Sequence, residues 1–301
     1  MASRVGQEQP ELWGREEARR VERLPIAAPE GSLRSGRRDH PILVGTSGFV
    51  FRDWEGPFYP PGLPPSERLP FYARYFPALE LNSSYYRIPP AETFARLRAR
   101  VPADFEFLIK GHQDMTHSSD LADTTLRQFR EALSPIRTDG SLQGVLVQFP
   151  WRFRDTPQAR DRLLRLRDGL PEDRLFTEFR HDSWAGEATF EFLESAGIGY
   201  CCVDEPRLND LMPPLARCTT DRAYVRFHGR NEKNWWGRGG GDRYDYEYPR
   251  EELEEWLGKI RELAEKAEKT YVFFNNCHAG QAARSARLMQ DLLQRDLGEA
   301  M

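Results

Sequence analysis

The feature that most constrains this chain is an alternation. From Ile42 onward, short runs of β-branched, aliphatic and aromatic residues are separated by longer segments of helical period. Apolar strands of this kind need helices to cover them, so the pattern reads as repeated βα units around a parallel sheet. Eight such runs occur: Ile42–Thr46, Ala78–Asn82, Phe105–Lys110, Gly144–Gln148, Leu175–Glu178, Gly199–Val203, Ala223–Phe227 and Tyr271–Asn275. Eight units over about 240 residues match a closed (β/α)8 TIM barrel, which needs about 250. An open doubly wound sheet would usually carry a glycine-rich phosphate turn after its first strand, and no GxGxxG or GxxxxGK[ST] is present.

Helices are expected over Ser66–Phe76, Pro90–Arg100, Thr124–Ile136, Pro157–Asp168, Glu187–Ala196, Arg250–Glu268 and Gln281–Leu297. The connection Glu205–Arg222 has too few apolar periods for one. Residues 1–40 mix both charges with Pro, Gly and Ser and read as a flexible N-terminal extension, with Glu11–Leu24 able to form a short amphipathic helix. The fold expectation is therefore an α/β chain with one TIM-barrel domain over residues 41–301. Arg230–Tyr248, rich in Trp, Gly and Tyr, reads as a long loop that could cover the barrel mouth.

A net charge of -4 and a pI near 6.0 supply no global basic field, which disfavours a dedicated nucleic-acid binder. Cys201, Cys202, Cys218 and Cys277 form no CxxC and read as reduced thiols of a cytoplasmic protein. No apolar run is long enough for a membrane helix, so no membrane partner is expected.

Active sites of this fold lie at the C-terminal ends of the strands, where alternate side chains face inward. The strand ends here are Glu80-Leu81-Asn82, Lys110, Gln148, Glu178-Phe179-Arg180-His181, Asp204, Arg226-Phe227-His228 and Asn275-Asn276. Buried charges without partners are costly, so this regularity points to a pocket rather than to chance. Glu80, Glu178 and Asp204 balance Lys110, Arg180 and Arg226. A dedicated divalent-metal site would show surplus carboxylates and more histidine, so no cofactor and no metal is predicted. Glu80, Glu178, Asp204 and His228 are the candidate catalytic residues, with Glu80 or Glu178 as base or nucleophile. Ser47, Asn82, Tyr85, Lys110, Gln148, Arg180, Trp184, Arg226 and Asn276 are the candidate ligand-binding residues, the cations holding an anionic group. For Trp54 and Phe58 loop anchoring is the better reading.

These motifs together resemble a family. Gly45-Thr-Ser-Gly48, Phe58-Tyr59-Pro60, Glu80-Leu-Asn82, Tyr85-Tyr86-Arg87-Ile-Pro89, Thr116-His117, Gln148-Phe-Pro150, Glu178-Phe-Arg-His181, Arg226-Phe-His-Gly229 and Phe274-Asn-Asn276 resemble the domain of unknown function family 72, also called YecE-like. The resemblance runs from about Ile42 to the last helix and implies a TIM barrel without implying an activity. Ser84-Tyr85-Tyr86 and the long segment around Trp235–Gly241 depart from its usual pattern. The functional expectation is an enzyme of uncharacterised reaction that binds a small polar or anionic ligand, sugar- or nucleotide-derived, and uses metal-free acid/base chemistry. The alternatives are a divalent-metal-dependent barrel resembling sugar isomerases or endonucleases, and a nucleic-acid or partner-binding module.

Overall fold

Backbone pairing in the computed structural model, which describes residues 34–37, 40–237 and 242–299, resolves the alternation into nine strands. They are β1 Arg34–Arg37, β2 His40–Thr46, β3 Ala78–Leu81, β4 Glu106–Lys110, β5 Leu142–Gln148, β6 Leu175–Glu178, β7 Ile198–Asp204, β8 Arg222–Phe227 and β9 Lys269–Phe274. The order is β1-β2-β9-β8-β7-β6-β5-β4-β3. From β2 to β9 every neighbouring pair is parallel, which gives the eight expected strands.

The sheet curls until β2 meets β3, and the barrel closes there through a thin seam. A single parallel bridge joins Ser47 to Glu80, and the Gly48 N–H donates to the Glu80 carbonyl at 2.8 Å. One step below, the strands exchange no direct bond. Instead the hydroxyl of Tyr72 accepts from the Thr46 N–H at 2.9 Å and donates to the Ala78 carbonyl at 3.1 Å. Gly45 is required beside it, because a Cβ there would run into the Ala78 carbonyl.

Helices α1 Arg68–Tyr72, α2 Ala91–Arg98, α3 Gln113–Thr116, α4 Asp123–Thr138, α5 Pro157–Gly169, α6 Glu187–Ser195, α7 Arg250–Glu254, α8 Leu257–Lys266 and α9 Gln281–Glu299 surround the strands. Two expected helices differ in detail. The first is shortened to α1, preceded by a 3-10 turn at Pro65–Glu67 and followed by Pro77 at the entry to β3. The helix expected over Arg250–Glu268 breaks at Trp256, whose buried ring is anchored by its Nε1–H to Asp204 at 2.7 Å. Residues 205–222 contain no helix, as their pattern implies. Among the described residues no helix is long and apolar enough to cross a membrane.

Burial divides into two layers. Inside the barrel, Leu43, Ala78, Leu108, Leu146, Phe176, Cys201, Tyr224, Tyr271 and Phe273 form a closed apolar disc. A larger core fills the space between strands and helices. The disc seals the middle of the barrel, so the inward side chains above it form the floor of the mouth.

β1 lies within the stretch read as an extension, and it pairs antiparallel with β2. Arg-Ser-Gly-Arg carries no apolar signal, so only its partners reveal it. Arg34 reaches Glu106 at 3.1 Å at the lower end of the barrel, where Lys269 and the Tyr271 hydroxyl also bind that carboxylate, at 2.8 and 2.6 Å. The amphipathic segment Glu11–Leu24 lies outside the described residues.

Replacing Tyr72 with Phe strands two buried backbone groups at the seam. The expected loss is about 1–3 kcal/mol of unfolding free energy. Urea denaturation measures it, and an unchanged midpoint would contradict the role given to the hydroxyl.

Candidate functional site

The two-residue alternation that sets Leu108, Leu146, Phe176 and Tyr224 in the disc carries the next inward positions, Lys110, Gln148, Glu178 and Arg226, to the mouth. Glu80 follows Ala78 in the same way. At the centre stands the Arg226 guanidinium, 1 % exposed. Its Nη1 donates to Glu178 Oε2 at 2.5 Å and its Nη2 to Glu80 Oε1 at 2.6 Å. The other oxygen of Glu80 accepts from the Tyr224 hydroxyl, and Ser47 Oγ lies 3.5 Å from Arg226 Nη2.

A second guanidinium extends the network. Arg180 Nη2 lies 2.6 Å from Glu178 Oε1, and Nη1 donates to Glu205 Oε2 at 2.7 Å. The His228 ring is wedged between them, Nε2 being 3.2 Å from Glu178 Oε1 and 3.1 Å from Arg180. Its Nδ1 is 3.1 Å from the amide nitrogen of Asn275, which fits the tautomer with hydrogen on Nε2.

Protonation follows from these contacts. Burial pushes the Glu178 carboxyl up, but Arg180 and Arg226 outweigh it and hold the group well below the usual carboxylate range. Burial, with Arg180 adjacent, takes His228 down to about 3 and keeps it neutral. Burial lifts Glu205 to about 7 against the pull of Arg180, and Glu178 adds to the rise. Lys110 is brought down to about 8 by burial and by Arg226, with Glu178 and Glu80 opposing.

Lys110 also differs in its partners. Its ammonium donates to Gln148 Oε1 at 3.1 Å and lies over the Tyr85 ring, 4.6 Å from the centroid. Among the described residues no carboxylate comes within 4.0 Å of it, and it remains partly exposed. Tyr85 in turn places its hydroxyl 3.3 Å from the His117 ring nitrogens. The loop after β8 roofs this floor: Trp235 lies against Arg180 at 5.6 Å, and the Tyr244 ring is 6.2 Å from His228. Residues 238–241 of that loop are outside the described ones.

Of the residues singled out from the sequence, Ser47, Glu80, Lys110, Gln148, Glu178, Arg180, Arg226 and His228 share this network, with Tyr85 at its rim. Three belong elsewhere. Asp204 points into the helix layer, where it accepts from Tyr248 and Trp256 at 2.7 Å and from Arg230 at 2.8 Å. Asn276 also faces outward, donating to the Tyr246 carbonyl at 2.8 Å. Trp184 stacks on Phe179 at 4.1 Å and donates to the Phe153 carbonyl, away from the mouth. Asn82 sits at the start of a 3-10 turn after β3, its Oδ1 buried and without a partner. Trp54 anchors its loop, donating to the Cys277 carbonyl at 2.7 Å.

Glu205 and Asn275 replace Asp204 and Asn276. The signal for both was available: Cys201-Val203-Glu205 and Tyr271-Phe273-Asn275 continue the inward register by twos. Arg180 and Arg226 are also engaged with carboxylates rather than free to hold a ligand anion, which leaves that role to Lys110. The metal set Glu80, Glu178, Asp204 and His228 does not converge, since Asp204 is on the other face and both oxygens of Glu80 are occupied by Arg226 and Tyr224. Among the described residues one group of His and carboxylate side chains, His181, Asp182 and Asp210, has ligand atoms within 4.8 Å of one another.

Residues 43–300 match the family described as "Protein of unknown function DUF72". The UPF0759 protein YunF of Bacillus subtilis is 31% identical over 270 residues, covering 84% of this chain and 94% of that protein. The crystal structure of a DUF72 family protein from Thermotoga maritima superposes with a TM-score of 0.79 at 40% identity, over 84% of this chain and 99% of that one. A second DUF72 family structure, from Enterococcus faecalis, gives 0.74 at 25% identity over 85% and 99%.

Glu205 binds its proton more tightly in the folded state than at its ordinary value of 4.5. Its stabilising contribution is therefore complete below that pH and is lost as pH rises through about 7. Between about pH 5 and pH 8 the wild type should lose about 1–3 kcal/mol relative to Glu205→Gln. Urea midpoints of both proteins across that range check it, and parallel profiles would contradict it.

Proposed function

The chain belongs to the DUF72 family of proteins of unknown function, and from that premise we propose that it is an enzyme acting on a small polyhydroxylated anion at the barrel mouth. The ligand class is a sugar acid, a sugar phosphate or a nucleotide-derived relative. Lys110 receives the anionic group or exchanges its proton, and Glu205 is the complementary acid. No metal is assigned to the reaction, because the carboxylates of the floor are already bound to guanidinium groups.

The single observation that carries this reading is the ammonium of Lys110, which has no direct carboxylate partner among the described residues while Glu80, Glu178 and Glu205 are each bound to Arg180 or Arg226. A half-buried cation without a direct partner that faces the mouth attracts an anion more strongly than a solvated one. Elsewhere at the strand ends, Glu205 Oε1 and Asn82 Oδ1 are buried oxygens without a hydrogen-bond partner among the described residues. Such acceptors favour hydroxyl donors on a ligand, since a bare buried acceptor is costly. The proton balance fits general acid/base work. Lys110 and Glu205 change charge near neutrality, whereas Glu178 and His228 hold one state across that range. Arg180 and Arg226 then act as positioning residues that fix the carboxylates.

A thermal-shift screen of sugar acids, sugar phosphates and nucleotide derivatives tests the proposal. Hits should bind about tenfold or more weakly to Lys110→Met, and binding should fade as pH rises through about 8, where the ammonium loses its proton. Lys110→Met itself should unfold at the same or a higher temperature at neutral pH, because folding now disfavours the charged amine. Hits that bind the variant as well as the wild type would refute the assignment, as would a screen in which no anion shifts the wild type.

A further inference from the structure

A second cavity lies beside the mouth, between the segment that follows β4 and the start of α5, with a volume of about 620 Å³. Its walls carry Arg152, Arg154, Arg162 and Arg165 against a single carboxylate, Asp161. Thr116, Ser118 and Ser119 line it too, the Thr116 hydroxyl being engaged with His117 at 2.8 Å. The geometry points to a binding site for a diphosphate group in this cavity, separate from the mouth.

The cavity holds four guanidinium groups and one carboxylate. Several guanidinium groups elsewhere are paired with a carboxylate: Arg137 with Asp173, Arg160 with Asp155 and Arg174 with Asp221, at 2.7, 2.8 and 2.9 Å. The four cavity arginines are not, since among the described residues none has a carboxylate within 4.0 Å. Arg162 donates to the Met115 carbonyl at 2.9 Å and the Asp114 carbonyl at 3.1 Å. Arg165 donates to the Leu121 carbonyl at 3.0 Å, and Arg152 to the His117 carbonyl at 3.3 Å. Carbonyls hold the side chains in place but do not cancel their charge. Like charges facing one cavity repel, and burial and Arg165 lower the basicity of Arg162, with the more distant Asp120 opposing. An anion with about three negative charges relieves that repulsion, and guanidinium forks bind phosphate oxygens in bidentate fashion.

Size and composition narrow the class. The volume falls within the range of small-molecule pockets, about 300–1,000 Å³, and exceeds what one phosphate needs. Hydroxyls such as those of Ser118 and Ser119 can donate to phosphate oxygens without adding charge. A diphosphate, free or as part of a nucleotide, satisfies the charge and the hydrogen-bond donors together. A nucleic-acid strand would call for a basic track longer than this one cavity, and the net charge of -4 gives no such field.

Isothermal titration with pyrophosphate at low ionic strength tests the inference on the full chain. The wild type should bind it at one site, and Arg154→Gln should bind about tenfold more weakly. Arg154 is chosen because its guanidinium only lies over the Trp151 ring, at 5.3 Å, so the substitution leaves the loop anchors intact. Arg154→Gln with Arg165→Gln should lower the affinity further. Lys110→Met should bind pyrophosphate like the wild type, which keeps this test independent of the mouth. A nucleoside diphosphate that binds as tightly or more tightly marks a nucleotide as the source, and pyrophosphate binding alone marks the free anion; both support the site. Absence of wild-type binding, loss of binding in Lys110→Met with Arg154→Gln unaffected, or affinity for single-stranded oligonucleotides that grows with length would overturn it.

Discussion

The buried Arg226 guanidinium, clamped between two carboxylates, is the interaction on which the rest of the structure depends. Glu80, Glu178 and Arg226 come from β3, β6 and β8, no two of which are neighbours in the sheet. One buried cation therefore ties three sides of the barrel together above its apolar disc. Removing one member of such a group leaves an uncompensated buried charge, which typically costs about 3–5 kcal/mol. Glu80 has a further part in the fold: its backbone makes the bridge that joins β2 to β3 while its side chain pairs with Arg226. Closure of the barrel and construction of the mouth thus share a residue.

That sharing decides which groups remain for chemistry. A carboxylate gripped by two guanidinium groups is a poor base, because protonating it would break strong contacts, and this applies to Glu178. His228, neutral and hydrogen-bonded on both nitrogens, is equally immobile. Lys110 stands outside these pairings, with the Tyr85 ring and the Gln148 amide as neutral company. Glu205, at the outer end of the Arg180 bridge, keeps one oxygen unsatisfied. The fixed charges supply the field, and these two groups supply the protons.

Much of this was legible in the sequence, for a physical reason. Strand runs such as Leu175–Glu178 and Ala223–Phe227 are short and bounded by turn residues, so their limits could be read almost to the residue. Inward parity then assigned Glu80, Lys110, Gln148, Glu178, Arg226 and His228 correctly to one face. The last polar residue of a run does not by itself mark the pocket: counting by twos along β7 and β9 turns Glu205 and Asn275 inward and Asp204 and Asn276 outward. Trp184 could not be placed from sequence, since only packing reveals its stack on Phe179. β1 was hidden for the opposite reason: Arg34-Ser-Gly-Arg37 has no apolar side chain, and its pairing with β2 is a tertiary event. Which cation would stay free was not readable either, because ion pairing depends on distances that composition does not carry.

The central claim is that the floor of the mouth leaves Lys110 as a cation of lowered basicity while Glu80, Glu178 and Glu205 are bound to Arg180 and Arg226. Lys110, Lys233, Lys259, Lys266 and Lys269 are the only lysines of the chain, so carbon-13 labelling at lysine Cε gives a spectrum simple enough to follow one residue through a pH titration. Loss of a signal in Lys110→Met assigns it. A midpoint at about 8 is the predicted result, and a midpoint at the ordinary 10.5 would contradict the account.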